Sequence, residues 1–257
     1  MIDVHCHMLP FVDDGARDWE TSLTMARMAY EDGIRTTILT PHWTGQPGEI
    51  DSVKARRTEL AERLRDAGIG LNLLLGNEVI LTPQLEEALQ NGGALHLADS
   101  KFVLLETAQL EHGAFNRKAI FRLQTHGHRV ILAHPERVPS WEKEHTELKE
   151  LIQAGCALQV NAQSLLGGFG KGPKLAAERF LKAGWVSLMG TDAHSTGSRP
   201  PILSAALARV EKLIGEAGAR RLVLDNPQRI LENRPLPWVD LDAEPAKRGF
   251  SFPWSRG

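Results

Sequence analysis

The first pattern with chemistry in it is His5-x-His7, near the amino terminus. Residues two apart on a strand share a face, so these imidazoles project together while Cys6 points the other way. Two imidazoles converging at a strand end can hold one divalent ion, and neutral imidazole suits Zn, Mn or Fe. Asp13 and Asp14, in the next loop, are sources of hard oxygen. A lone His-x-His is a weak signal. Its weight comes from metal-competent partners at comparable positions downstream: His42, Glu78, Glu106, His134, and Asp192 with His194. Each follows an apolar run. A catalytic zinc takes about three protein ligands plus water, so a set this large implies two or three ions. Closely spaced ions can generate a bridging hydroxide and clamp the attacking and leaving oxygens of a phosphoryl group. Arg137, three residues after His134, and Arg199, in Gly197-Ser198-Arg199-Pro200-Pro201, supply planar forks that match phosphate oxygens.

These residues need elements that bring them to one place, and the chain has a repeating unit suited to that. A short apolar run is followed by a polar loop, an amphipathic helix and a glycine. The pattern predicts strands near 2–5, 35–40, 71–75, 102–105, 129–133, 157–160 and 185–189. The intervening helices include one capped by Asp18 and stopped by Gly33, and one opened by Pro173 and stopped by Gly184. The last long helix carries Leu203, Leu207, Val210 and Leu213. About seven strands alternating with helices point to a parallel β/α architecture, and at this length a barrel fits better than an open sheet. In such a barrel the carboxyl ends of the strands build one cleft. His128, placed just before a strand, belongs at the opposite end. His96, His112, His126 and His145 fall in loops or helices and carry no expected chemistry.

Composition narrows the alternatives. The chain has 257 residues, 42% hydrophobic and 24% charged, with a net charge of -2. That suits one large domain and supplies no overall basic field for nucleic acid. No signal peptide or membrane-spanning run is visible, and the two cysteines make no disulfide framework, so a cytoplasmic setting is expected. A cysteine-dependent phosphatase needs an arginine six positions after its nucleophile, where Cys6 is followed by Val12 and Cys156 by Ala162. No Gly-x-Ser-x-Gly elbow occurs. From about 233 to 257 the composition changes to prolines and aromatics among charges. This stretch reads as a tail that is disordered or lies across the barrel, with docking to a partner or a membrane surface as the alternative.

Taken together, His5-x-His7, Asp13-Asp14-Gly15, Pro41-His42, Gly76-Asn77-Glu78, Glu106, His134-Pro135-Glu136-Arg137, Gln159-Val160-Asn161, Asp192-Ala193-His194, Arg199-Pro200-Pro201 and Asp225-Asn226-Pro227 resemble the polymerase-and-histidinol-phosphatase (PHP) superfamily. Within it they are most similar to the metal-dependent bacterial protein tyrosine phosphatases of capsule and exopolysaccharide operons, the CpsB/YwqE type. The resemblance runs over about residues 1–232 and leaves the tail unmatched. It implies an α/β fold, a distorted (β/α)7 TIM-like barrel, with two or three divalent ions, most commonly manganese, where iron or zinc would also suit the donors. It implies one ion on His5, His7, Glu78 and Asp192, a second on Glu78, Glu106 and His134, and a third on Asp14, His42 and His194. Arg137 and Arg199 would grip the phosphate. The implied substrate is phosphotyrosine on the tail of a bacterial tyrosine kinase that controls polysaccharide export.

The expected reaction is in-line attack on phosphorus by metal-bound hydroxide. A phenol with a pKa of about 10 leaves with little acid assistance. Asp14, or a bound water, is the candidate for whatever assistance there is. The competing readings are a phosphatase of a small metabolite such as histidinol phosphate, a metal-dependent nuclease, and a barrel that only binds a partner. The first differs only at the cleft rim, where 43–46 and 107–112 depart from the family pattern. The second calls for a basic track, and the third for missing ligands.

Overall fold

In the computed structural model, which describes residues 1–107 and 114–241, every strand pairing is parallel. The strands are β1 (Ile2–Cys6), β2 (Thr36–Leu39), β3 (Asn72–Leu75), β4 (Glu78–Val79), β5 (Phe102–Glu106), β6 (Arg129–Ala133), β7 (Ala157–Asn161) and β8 (Val186–Gly190). The helices are α1 (Trp19–Glu31), α2 (Glu49–Asp66), α3 (Leu85–Asn91), α4 (Ala114–Thr125), α5 (Thr146–Gln153), α6 (Ala162–Leu166), α7 (Lys171–Lys182), α8 (Ser204–Arg220) and α9 (Asn226–Leu231).

Two sheets form, β1-β2-β3 and β4-β5-β6-β7-β8, and short connections close them into a ring. On one side the Asp192 amide donates to the His5 carbonyl and the His7 amide to the Ala193 carbonyl, each at 2.8 Å. On the other, the Trp43 amide donates to the Glu78 carbonyl at 2.9 Å and His42 bridges Glu78. Counting β3 and β4 as one broken stave gives seven, the number the sequence predicts. The break has a local cause. Gly76 lies so close to Leu97 that a Cβ would stand 2.6 Å from its Cδ2. The Asn77 amide side chain then takes over sheet-like bonds, donating to the Pro41 carbonyl at 3.0 Å and accepting from the Leu95 amide at 2.9 Å. The molecule is a distorted TIM-like barrel.

Alternation along the staves divides the core. Phe102, Leu104, Ile131, Ala133 and Leu188 cluster with Ile2, Val4 and Ile38, while Val103, Leu105, Val130, Leu132 and Leu39 pack with the helices. In β1 the register shifts between Asp3 and Cys6. Accordingly Ile2 and Val4 belong to the first cluster, yet Cys6, an even-numbered residue like them, belongs to the second. A bulge of this kind re-aims the residues after it, so His5 and His7 enter the barrel with Cys6 buried behind them.

The helices begin and end much as their caps direct. Asp18 accepts from the Thr21 amide at 2.7 Å to open α1, and Gly33 closes it at φ 92°. Helix α5 starts two residues later than its pattern suggests, because the Glu144 carboxylate engages the Thr146 amide and hydroxyl. The last long helix, α8, is broken at Gly215, φ 82°, which no apolar periodicity reveals. The five-residue α6 is also absent from the periodic reading. Leu236 and Leu241 pack on the barrel, Trp238 is exposed, and residues 242–257 of the tail lie outside the described residues.

Candidate metal centre and anion seat

The strand ends deliver nine donors to the carboxyl face in three overlapping groups. His5, His7, Glu78 and Asp192 form one, Glu78, Glu106 and His134 a second, and His7, Asp14, His42 and His194 a third. Every residue that the family resemblance implies as a ligand is in this assembly. The one difference is His7, which borders two groups. Glu78 sits at the middle: Oε2 lies 3.2 Å from His5 Nε2, 3.3 Å from His7 Nε2 and 3.1 Å from His42 Nδ1, and Oε1 lies 2.9 Å from His134 Nε2. A glutamate in contact with four imidazoles is placed to bridge two ions.

Neighbouring groups decide which nitrogen of each imidazole is left for a metal. His5 Nδ1 donates to Gln159 Oε1 at 2.9 Å, His7 Nδ1 to Asp13 Oδ2 at 2.8 Å, and His194 Nδ1 to the Asp192 carbonyl at 3.0 Å. In each neutral ring the proton is thereby held on Nδ1 and the Nε2 lone pair is free. The Nε2 atoms of His5 and His7 then face each other 3.1 Å apart, an arrangement that calls for a shared cation. Asp192 is divided in the same sense. Its Oδ2 accepts from Asn161 Nδ2 at 2.6 Å, Arg137 at 3.0 Å and Arg199 at 2.6 Å. Its Oδ1 is buried without a hydrogen-bond partner, 3.4 Å from His5 Nε2 and 3.6 Å from His7 Nε2. Converging lone pairs and an orphaned carboxylate oxygen fit divalent metal.

The electrostatics agree. Burial alone would depress the His7 and His134 imidazoles. The carboxylates of Asp13 and Glu78 reverse this for His7, raised to about 10, and Glu78 reverses it for His134, raised to about 9. Burial would raise Glu78 and Asp192, yet the imidazoles around them hold both below the ordinary carboxylate range. Metal bound here displaces protons from these rings. Burial drives both thiols upward, Cys156 to about 12, which removes them as nucleophiles.

Two of the candidate ligands are held on left-handed backbone, His134 at φ 35° and Asp192 at φ 51°. Non-glycine residues there cost on the order of 1–3 kcal/mol each, sustained only when the surroundings hold them. His134 is held by its amide's bond to the Gln159 carbonyl and by the turn Pro135–Arg137, which also aims Arg137. Burial raises the Glu136 carboxyl, which accepts from the Asn161 amide at 2.9 Å and ties that turn to β7.

The structure corrects one expectation and adds three residues. Asp13 belongs to none of the three donor groups. Its carboxylate holds the His7 ring, the His42 amide at 3.1 Å and the Gly15 amide at 2.9 Å. Gln159 and Asn161, which orient His5 and Asp192, share one face of a buried strand, a period-two signal present in the sequence. Phe169 lies against both arginines, with ring-to-Cζ distances of 4.4 Å to Arg137 and 5.6 Å to Arg199. Nothing in its local sequence announces this. Of the first rim loop, Trp43 to Gly48 join the α3 end in lining a cleft of about 680 Å³. Of the second rim loop, Thr107 is buried against the Ala133 carbonyl, and 108–112 lie outside the described residues.

Fold and site together define a parallel β/α-barrel protein with a candidate polynuclear metal centre and a candidate two-arginine anion seat on its carboxyl face. Comparison with known proteins narrows this class. Tyrosine-protein phosphatase YwqE of Bacillus subtilis (strain 168) is 33% identical over 236 residues, 91% of this chain and 92% of the relative. Tyrosine-protein phosphatase CpsB of Streptococcus pneumoniae is 28% identical over 240 residues, 90% of this chain and 98% of the relative. A solved structure from work on YwqE and CpsB, described as unique metal-dependent tyrosine phosphatases, matches with a TM-score of 0.86 at 32% identity, covering 92% of this chain and 96% of that one. The family described as "Capsular polysaccharide synthesis, CpsB/CapC" matches residues 1–232, and the chain belongs to it.

Proposed function

We propose that this chain is a metal-dependent protein-tyrosine phosphatase, a phosphoric monoester hydrolase of a capsule or exopolysaccharide system, with its activity carried by residues 1–232. The observation that carries this is the meeting of two arginines over Asp192, on the rim of nine converging donors. Divalent ions bound by His5, His7, Asp14, His42, Glu78, Glu106, His134, Asp192 and His194 supply Lewis-acid activation of water and of the phosphoryl group. Manganese is the proposed ion, and iron or zinc would suit the same donors. Arg137 and Arg199, partly exposed, receive the equatorial oxygens and neutralise charge that grows as the bond to phosphorus breaks. Asp192 Oδ2 and Asn161 hold these guanidiniums in register with the donors below. Asp14 Oδ1, 3.3 Å from both His42 Nε2 and His194 Nε2, stands on the solvent side, where the carboxylate can relay a proton from a solvent water to the departing phenolate.

The proposed partner is the phosphotyrosine-bearing tail of a bacterial tyrosine kinase, in keeping with the family's role in capsular polysaccharide synthesis. Among the described residues no helix is long and apolar enough to cross a membrane, and a cytoplasmic site of action is proposed. The test is phosphate release from a phosphotyrosyl peptide beside histidinol phosphate, using protein stripped by chelator and refilled with Mn, Zn or Fe. Metal-dependent turnover of the peptide is the expected result. Turnover of histidinol phosphate alone would move the site to metabolite chemistry.

A further inference from the structure

Phe169 occupies an unusual place in a linker that has little need of a large side chain. Only residues 167–170 connect α6 to α7, and the other three are glycines. Gly167 and Gly170 have φ of 89° and 95°, where side chains are strained. A Cβ on Gly168 would stand 2.7 Å from Gln163 Oε1 and 3.3 Å from its carbonyl oxygen. The linker is tied down as well: the Gly167 amide donates to Ser164, Gly168 to Gln163 and Gly170 to Gly167, at 2.8–3.0 Å. Phe169 is thus the one side chain beyond hydrogen that this tied-down linker carries.

That ring is only partly buried, so core packing does not account for it. It lies instead against the two cations of the anion seat, closer to Arg137 than to Arg199. Both guanidiniums are fastened to Asp192 Oδ2, and the side chains retain exposed surface, 33% for Arg137 and 24% for Arg199. Phe169 is therefore a neighbour of both cations that a phosphomonoester on that surface would meet. An alkyl group meets the ring with little specific gain, whereas an aryl group can pack against it edge-to-face or offset.

We propose that Phe169 is the specificity-determining residue of the anion seat, contacting the aromatic ring of an aryl phosphate and so selecting aryl over alkyl phosphomonoesters. This deepens the phosphatase reading and rests on it for the identity of the natural substrate. Its test needs only ligand binding. Benzylphosphonate and ethylphosphonate carry the same anion, and only the first carries a ring. Calorimetric titration of the manganese-loaded full chain with each compares the original protein with Phe169→Ala, Phe169→Leu and Phe169→Trp.

The original protein should prefer benzylphosphonate. The Ala and Leu variants should lose about tenfold in affinity for it, the scale of one aromatic contact, and less than about twofold for ethylphosphonate. Phe169→Trp should keep the preference. Equal losses for both ligands would reduce Phe169 to a prop for the arginines and overturn the proposal, and unchanged affinities would also overturn it. Thermal unfolding of each variant identifies any that fail to fold, and the Leu variant, close in volume, guards against that outcome. Should the original protein show the ring preference yet release no phosphate from a phosphotyrosyl peptide, the enzymatic reading fails while the assignment of Phe169 stands.

Discussion

Replacing Asp13 by Asn should weaken metal binding by about 10- to 100-fold although Asp13 belongs to none of the donor groups. Its side chain is 3% exposed, and its pairing with His7 outweighs burial to hold the carboxyl below its ordinary range, so it is ionised at neutral pH. Oδ2 accepts from both His7 Nδ1 and the His42 amide, and Oδ1 from the Gly15 amide. An asparagine offers one acceptor oxygen for these three donors. With its oxygen toward His7, its NH2 confronts the Gly15 amide. With the amide reversed, the NH2 faces His7, whose ring must move its proton to Nε2 and lose that lone pair. A charge-assisted hydrogen bond is worth about 1.5–3 kcal/mol, which converts to roughly 10- to 100-fold in affinity. Loss of a carboxylate that orients a ligand histidine has effects of this size. Competition for manganese against a chelating dye measures the change, and thermal unfolding in excess chelator reports any damage to the fold. An affinity within about threefold of the original, with folding intact, would refute the argument that Asp13 sets the His7 tautomer.

Arg199→Lys should lower kcat/KM on a phosphotyrosyl peptide by about 10- to 100-fold while metal content holds, since an ammonium cannot reproduce a planar fork; equal kinetics would remove the phosphate role. Gly15→Ala should destabilise by about 2 kcal/mol or more, because the new Cβ would overlap the His7 carbonyl oxygen and stand 2.7 Å from His7 Cβ. A melting temperature within a degree or two of the original would contradict this. Away from the site, His96 and His128 share a 2.9 Å hydrogen bond, and burial, then His128, lowers His96 from 6.5 to about 4. The unfolded chain therefore binds more protons between those values, so this stability is complete above about pH 6.5 and is lost as pH falls toward 4. Discounted for partial exposure, the loss is about 1–2 kcal/mol. His96→Gln should flatten the acid limb of the melting-temperature profile in chelator, and parallel profiles for the two proteins would refute it.

The strand-and-helix rhythm and the donors were legible in the sequence because a parallel barrel turns order along the chain into position on one face. An apolar run followed by His42, Glu106 or His134 is a complete local instruction: buried stave, then a polar side chain at its carboxyl end. Capping by Asp18 and termination by Gly33 are equally local. Tertiary structure decided what those side chains meet. Strand alternation predicts that His5 and His7 share a face, but the bulge in β1 lets Ile2 and Val4 pack within the barrel ahead of them. Asp13 and Asp14 are identical in chemistry and adjacent in sequence. Asp13 is drawn in by His7 and the Gly15 and His42 amides, while Asp14 reaches the donor group. Phe169 belongs to a glycine linker whose composition announces only a turn. Its place beside Arg137 and Arg199 depends on α6, a helix too short to leave a periodic trace, and on arginines that precede and follow it by about thirty residues. Parity and capping are properties of a few consecutive residues, whereas which side chain opposes which depends on register and packing across the whole barrel.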